Sequence, residues 1–270
     1  MKKIIIYLII MILSYNGFSS TLQDALGVKE NELVYSFYPT DGFFFYKNSV
    51  LKIDTYDTPD IETSKLHGEY TYNIRTEKKI MYLEIKNEKL KETFMILVNK
   101  EMIILYKKGR TEPYWKGYNI RESERLYRFG DKRTKASSEL KEGDKVYAVS
   151  NLWTLESGKP WVEGVKGNGI GEYIENTING KTIYIFSGYV DVEKPYLYEQ
   201  NSRPKRISVE TPTQTLYYDL KDTPNPQKIE ISEKDYINDY KVRITILEVY
   251  PGTKYEDTCI NSIIGFWEWK

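Results

Sequence analysis

Two glutamates, Glu163 and Glu172, stand with Trp161 and glycines at 164, 167, 169 and 171 in the stretch KPWVEGVKGNGIGEYIE (159–175). Three chemistries can be tested on these residues. A dinucleotide loop needs G-x-G-x-x-G opening a helix, but Glu172 occupies the place of the last glycine. The phosphate loop fails as well, because Glu175 stands where the first glycine before NGKT (179–182) belongs. Carboxylates would also repel a phosphate. The remaining option is a glycosidase acid and base. The plainer use is to accept hydrogen bonds from loop amides or to pair with Arg203, Lys205 or Arg206. In a chain with 39 acidic residues the plainer use is favoured, since identity without geometry says little.

The sequence holds one histidine, His67, and one cysteine, Cys259. Ser-His-Asp, Cys-His and multi-histidine metal sites therefore lack members, and no catalytic residue, cofactor or metal is expected. Cys259 has no disulfide partner in the chain and reads as a small buried hydrophobe. The charge of zero argues against nucleic acid as a partner.

Tyrosine is abundant, at 25 residues, with five tryptophans beside it. Such rings suit half-buried strands and also contact surfaces that need area at low entropy cost. Trp161, Glu163 and Glu172 are candidate glycan contacts, although Trp161 is rather expected to anchor its loop. Trp153, in the less patterned run NLWTLESGKPW (151–161), is the better candidate to stack on a sugar. Tyr196, Tyr198, Asn201, Arg203 and Lys205, in the run 196–205, add rings and hydrogen-bond donors to the candidate glycan contacts.

These residues must be positioned by strands, because helical periodicity is nearly absent. LVYSFYP, GFFFYK, GEYTYNIR, KIMYLEIK, TFMILV and MIILYK follow one another between turn residues and predict an antiparallel meander or small barrel over 21–118. Asn99-Lys100 is a hairpin candidate. Residues 119–133 are charged, weakly patterned and expected to be a linker crossed by few contacts. Strands then resume, with Asn179-Gly180 predicting a two-residue hairpin. KVRITILEVY places Val242, Ile244 and Ile246, with Glu248 next in register, on one face. The pattern predicts a sandwich or jelly roll.

The first 20 residues, MKKIIIYLIIMILSYNGFSS, combine a basic start, an apolar run and small residues at the exit. That is a secretory signal pattern, too short in its apolar run to span a bilayer comfortably. No transmembrane segment is expected after cleavage.

Seven motifs occur in a distinctive order. They are KASSEL (135–140), NL (151–152), PWVEGVKGNGIGEYI (160–174), SGY (187–189), NSRPKRISV (201–209), DLKDTPNPQKIEI (219–231) and VRITILEVYPGTKYEDTCI (242–260). Their order resembles the glycan-binding domain of the translocation region of streptococcal NAD-glycohydrolase toxins, a discoidin-like module of secreted bacterial proteins. The resemblance implies a galactose-binding-type jelly roll over 134–270 and binding in place of hydrolysis. The chain departs from the pattern at WTLESGKP (153–160), where an Asp-Gly turn is expected, which weakens any calcium site there. It departs again at Pro204, where valine is more usual. The toxins' NAD-cleaving domain has no counterpart.

The sequence thus reads as an exported, two-domain, all-β protein that binds a glycan or glycosylated surface without catalysis. The alternative is an envelope-assembly protein whose jelly roll docks onto another protein.

Overall fold

The computed structural model describes residues 33–36, 42–45, 49–54, 65–110, 113–117, 124–231 and 239–268; the expected signal peptide lies outside them. Eight antiparallel strands come first: β1 (Leu33–Ser36), β2 (Gly42–Phe45), β3 (Ser49–Asp54), β4 (Lys65–Glu77), β5 (Ile80–Lys86), β6 (Lys91–Val98), β7 (Met102–Lys107) and β8 (Tyr114–Gly117). Each pairs with the next, and β8 returns to β1 to close a barrel. The meander therefore does close, which removes the sheet edges an open meander would leave. Leu83, Ile85, Phe94, Ile96, Ile103 and Leu105 fill its interior. The β6–β7 connection spans three residues, not the expected two, because the Asn99 side chain takes part in it. Its Oδ1 accepts the backbone N–H groups of Glu101 (2.8 Å) and Met102 (2.9 Å).

The second unit is a sandwich. One sheet runs β10 (Lys135–Ala136), β14 (Tyr173–Ile178), β19 (Tyr240–Tyr250), β16 (Arg203–Glu210), β17 (Thr215–Asp219). The facing sheet runs β13 (Trp161–Val162), β20 (Cys259–Glu268), β15 (Thr182–Ser187), β18 (Gln227–Glu230), with β9 (Glu124–Arg128) also paired to β20. A ribbon of β11 (Lys141–Glu142) and β12 (Lys145–Val146) lies at one end. A 3-10 turn, Val149–Trp153, and one helical turn, α1 (Leu197–Gln200), complete the unit. Val242, Ile244 and Ile246 all enter the core between the sheets, as their alternation requires. Glu248, next in the register, leaves it and pairs with Lys205 at 2.7 Å.

Two expectations fail here. Asn179-Gly180 does not make a hairpin, because β14 and β15 belong to opposite sheets and the turn carries the chain across the sandwich. The span 119–133 is not a linker either: within it, β9 pairs with β20 over five positions, from Ile264↔Arg128 to Glu268↔Glu124. β9 pairs with β20 alone among the described strands, and sheet-edge strands tolerate charge. That explains why its sequence lacks an apolar pattern.

The two units share a core. Met95 and Leu97 of β6, and Met102, Ile104 and Tyr106 of β7, turn away from the barrel interior. They pack with Tyr184, Phe186, Val190, Tyr198 and Ile264 of the sandwich. Strands β6 and β7 are therefore buried on both faces, which is why their sequences are continuous apolar runs. Polar contacts frame this interface. Val98 N–H donates to Asn225 Oδ1 (3.0 Å), Asn99 Nδ2 to the Pro226 carbonyl (3.0 Å), and Gly109 N–H to Glu193 Oε1 (2.9 Å). Tyr184 Oη and Lys228 Nζ both reach Glu101, at 2.5 and 2.8 Å.

Candidate functional site

The glycine-rich stretch is built around Glu163. Its side chain is wholly buried. Oε1 accepts the Thr258 N–H at 3.1 Å and Oε2 the Val165 N–H at 2.9 Å. Gly169, at φ +66°, folds over it so closely that an added Cβ would lie 2.4 Å from Glu163 Cγ, a conformation and a spacing that select glycine. Burial raises the Glu163 carboxyl above its ordinary range, even though both amides favour the ionised form.

Glu172 is used in the same way. It accepts hydrogen bonds from Ser137 Oγ (2.6 Å) and from Ser138 Oγ. Ser138 Oγ accepts the Gly164 N–H (2.8 Å), and the Ser138 carbonyl accepts Trp161 Nε1 (3.0 Å). Trp161 is fully buried in the sandwich core. The motifs KASSEL and PWVEG thus clamp one loop. Glu163, Glu172 and Trp161, proposed from sequence as glycan contacts, are spent on holding that loop: Glu163 accepts backbone amides that need acceptors, Glu172 accepts serine hydroxyls, and Trp161 donates to a carbonyl.

Arg203 and Tyr198 are also removed from the contact set. Arg203 is 4% exposed. It grips Asp222 with two bonds, Nε to Oδ1 at 2.8 Å and Nη2 to Oδ2 at 2.9 Å. Its Nη1 donates to the carbonyls of Tyr198 (3.1 Å) and Asn201 (2.7 Å). Tyr198 is buried in the interface and donates to Asp222 Oδ1 at 3.2 Å. A buried guanidinium needs this pairing to offset its desolvation. Burial works to raise the Asp222 carboxyl, but the hydrogen bonds from Arg203 and from Lys79 of the barrel outweigh it and hold it below its ordinary value.

The concave site lies at the end of the sandwich bearing the β11–β12 ribbon, and its volume is about 340 Å³, within the roughly 300–1,000 Å³ of small-molecule sites. Tyr147 and Tyr189 form its inner wall, edge to face with ring centroids 6.1 Å apart. Val162, Leu140 and Leu197 add apolar surface, with Cys259 buried beneath as expected for it. Lys145 Nζ sits 4.2 Å from the Tyr147 ring centroid and donates to Tyr189 Oη at 3.4 Å. Tyr147 Oη donates to Glu142 Oε2 at 3.1 Å, and Tyr189 Oη to the Gly158 carbonyl at 3.3 Å. Burial, followed by the neighbouring Tyr147, pushes the Tyr189 phenol far upward, so it stays a neutral donor.

The outer rim carries Tyr196, 51% exposed, and Tyr255, 38% exposed. Lys254 lies over the Tyr255 ring at 4.8 Å, and Lys194 and Asp257 complete the rim. Burial raises the Asp257 carboxyl. This arrangement offers aromatic faces for apolar ring surfaces together with ammonium, phenol, carboxylate and amide groups for hydroxyls.

Of the sequence candidates, Tyr196 and Asn201 line the cleft. Asn201 is mostly buried and donates Nδ2 to the Leu197 carbonyl at 2.9 Å, which fixes the end of α1. Trp153, 47% exposed, stands at the end of the 3-10 turn and is not among the cleft-lining residues. Lys205 is held by Glu248 and lies outside it too. Sequence reasoning missed Tyr147, Tyr189 and Tyr255. The last two sit inside recognised motifs, SGY and YPGTKYEDTCI, and the tyrosine excess was their available signal. Among the described residues, no group of three or more His, Cys, Asp or Glu side chains gathers to hold a metal.

Residues 126–266, more than half of the chain, match the family model of the NAD glycohydrolase translocation F5/8 type C domain. The chain belongs to this family. Its F5/8 type C domain is a carbohydrate-binding or docking module, and the barrel precedes the matched span.

Among solved structures, the arabinofuranosyltransferase AftD from Mycobacteria is 13% identical, covering 55% of this chain and 12% of that one at a TM-score of 0.34. A two-domain esterase active on acetylated mannans, co-crystallised with mannopentaose, is 11% identical, covering 60% of this chain and 42% of the esterase, also at 0.34. The chain thus spans less than half of each of these proteins. No curated protein matches it. No helix among the described residues is long and apolar enough to cross a membrane.

Proposed function

We propose that the chain is an exported, non-catalytic carbohydrate-binding protein that takes its glycan in the cleft at the ribbon end of the F5/8 type C domain. The observation that carries this reading is the concentration of Tyr147, Tyr189, Tyr196 and Tyr255 around one concavity, each beside a charged or amide group. Sugars present an apolar face and an equatorial fringe of hydroxyls, and phenol rings bordered by lysine and carboxylate groups match both. Both oxygens of Glu163 are committed to backbone amides and Oε2 of Glu172 to two serine hydroxyls, which supports binding over hydrolysis. Export is supported by the basic and apolar start of the sequence.

A glycan array probed with the full chain tests the reading. The expected result is a restricted set of bound glycans whose signal falls with Tyr255→Ala while thermal stability stays unchanged. An array without signal, with retained capture of another envelope protein, would favour docking instead.

A further inference from the structure

Beside the cleft lies a second, smaller groove of about 170 Å³ that no sequence motif announces. One wall is the β4–β5 hairpin tip of the barrel, with Glu77, Lys78, Lys79, Ile80 and Tyr82; the other is Pro195, Tyr196, Tyr198 and Glu199 of the sandwich. Tyr196 lines both concavities and forms the ridge between them. Alone, the groove is below the roughly 300 Å³ at which small-molecule sites begin. As an annex to a cleft that already reaches that size, it adds room for a further unit of a chain held there.

Its chemistry suits such a unit. Ile80 and Tyr82 give an apolar floor continuous with the core between the two units. Arg75 covers the Tyr82 ring at 4.4 Å, and Lys78 Nζ pairs with Glu199 Oε2 across the groove at 2.5 Å. An apolar floor below an exposed ion pair offers a ring face and hydroxyl partners together. The groove is also fixed in place, because the two units share their core and the Lys79–Asp222 pair locks the hairpin to the sandwich.

We propose that this groove is a second sugar subsite, so that barrel and sandwich together read an oligosaccharide lying across Tyr196. The inference rests on the cleft being a carbohydrate site. It gives the barrel a part in recognition and predicts a preference for chain length.

The test is a glycan array that displays each sugar motif both as a disaccharide and as a hexasaccharide, probed with the full chain. Two barrel variants outside the cleft are compared with it. Glu77→Trp fills the groove, and Lys78→Gly removes the ammonium while suiting that residue's positive φ of 54°. The unaltered chain should prefer hexasaccharides, and both variants should weaken hexasaccharide binding about tenfold while disaccharide binding stays as it was. Equal effects on both lengths, or none, would overturn the second subsite and leave the cleft reading intact. Absence of binding to every glycan by the unaltered chain would overturn both.

Discussion

Arg203 and Asp222 face each other in a two-bonded pair, and the same carboxylate also takes Lys79 from the barrel and Tyr198 from the sandwich. One half-buried acid thus joins strand β16, the segment before β18 and the barrel hairpin. Removing Arg203 leaves that carboxylate without its main partner. Arg203→Ala is expected to destabilise by about 3–5 kcal/mol. Arg203→Lys should rescue little, because lysine lacks the planar fork. Denaturant titration of the full chain measures both. A variant as stable as the parent would show that the pair contributes nothing net.

The same pair sets a pH dependence whose sign can be worked out. The folded Asp222 carboxyl is held below its ordinary value of 3.8. Its contribution to stability is therefore present above that value and lost as pH falls through the folded one. Glu163 acts in the opposite sense, since burial raises it above 4.5. Its contribution is greatest below that value and declines as pH rises toward the folded one. Stability measured against pH should show Asp222→Asn losing part of the acid sensitivity below about pH 4. Over the window upward from 4.5, the gap between the parent and Glu163→Gln should narrow. A gap that widens there would reverse the assignment for Glu163.

Trp161 is packed between the sheets and donates to the Ser138 carbonyl. Trp161→Ala should cost about 3–5 kcal/mol, read as a shift of the denaturant midpoint at unchanged slope. Loss of glycan binding at full stability would instead make the ring a ligand contact.

The shared core makes the barrel and the sandwich one folding unit. A fragment of residues 134–270 would lack β9 and expose Tyr184, Phe186, Val190 and Ile264. It is expected to aggregate or to melt without a cooperative transition. The full chain should give a single calorimetric transition, and Leu97→Ala in the barrel should lower it for both units, at about 2–5 kcal/mol. Two separate transitions would refute the coupling.

Much of this architecture was readable from local pattern. The alternation through Val242, Ile244 and Ile246 fixed their face, and the ordered motifs pointed to the sandwich that the family match bears out. What could not be read were choices made by distant parts of the chain. Turn chemistry at Asn179-Gly180 says that the chain reverses, but not that its two strands join different sheets. The runs TFMILV and MIILYK lack alternation, a sign of cover on both faces, yet not of what provides the cover. Arg203 looked like a surface donor because its partner Asp222 lies on a separate loop. The cleft was the least legible element. Tyr147, Tyr189 and Tyr255 meet only when the ribbon, the end of β15 and the loop before β20 converge.

The most direct measurement is glycan binding by two single variants, Tyr255→Ala and Trp153→Ala. Both rings are partly exposed, but only Tyr255 lines the cleft. Binding is expected to fall about tenfold or more for Tyr255→Ala and to be retained for Trp153→Ala, with the melting temperature of each close to the parent. Loss of binding with Trp153→Ala and retention with Tyr255→Ala would contradict the cleft and move the site to the 3-10 turn.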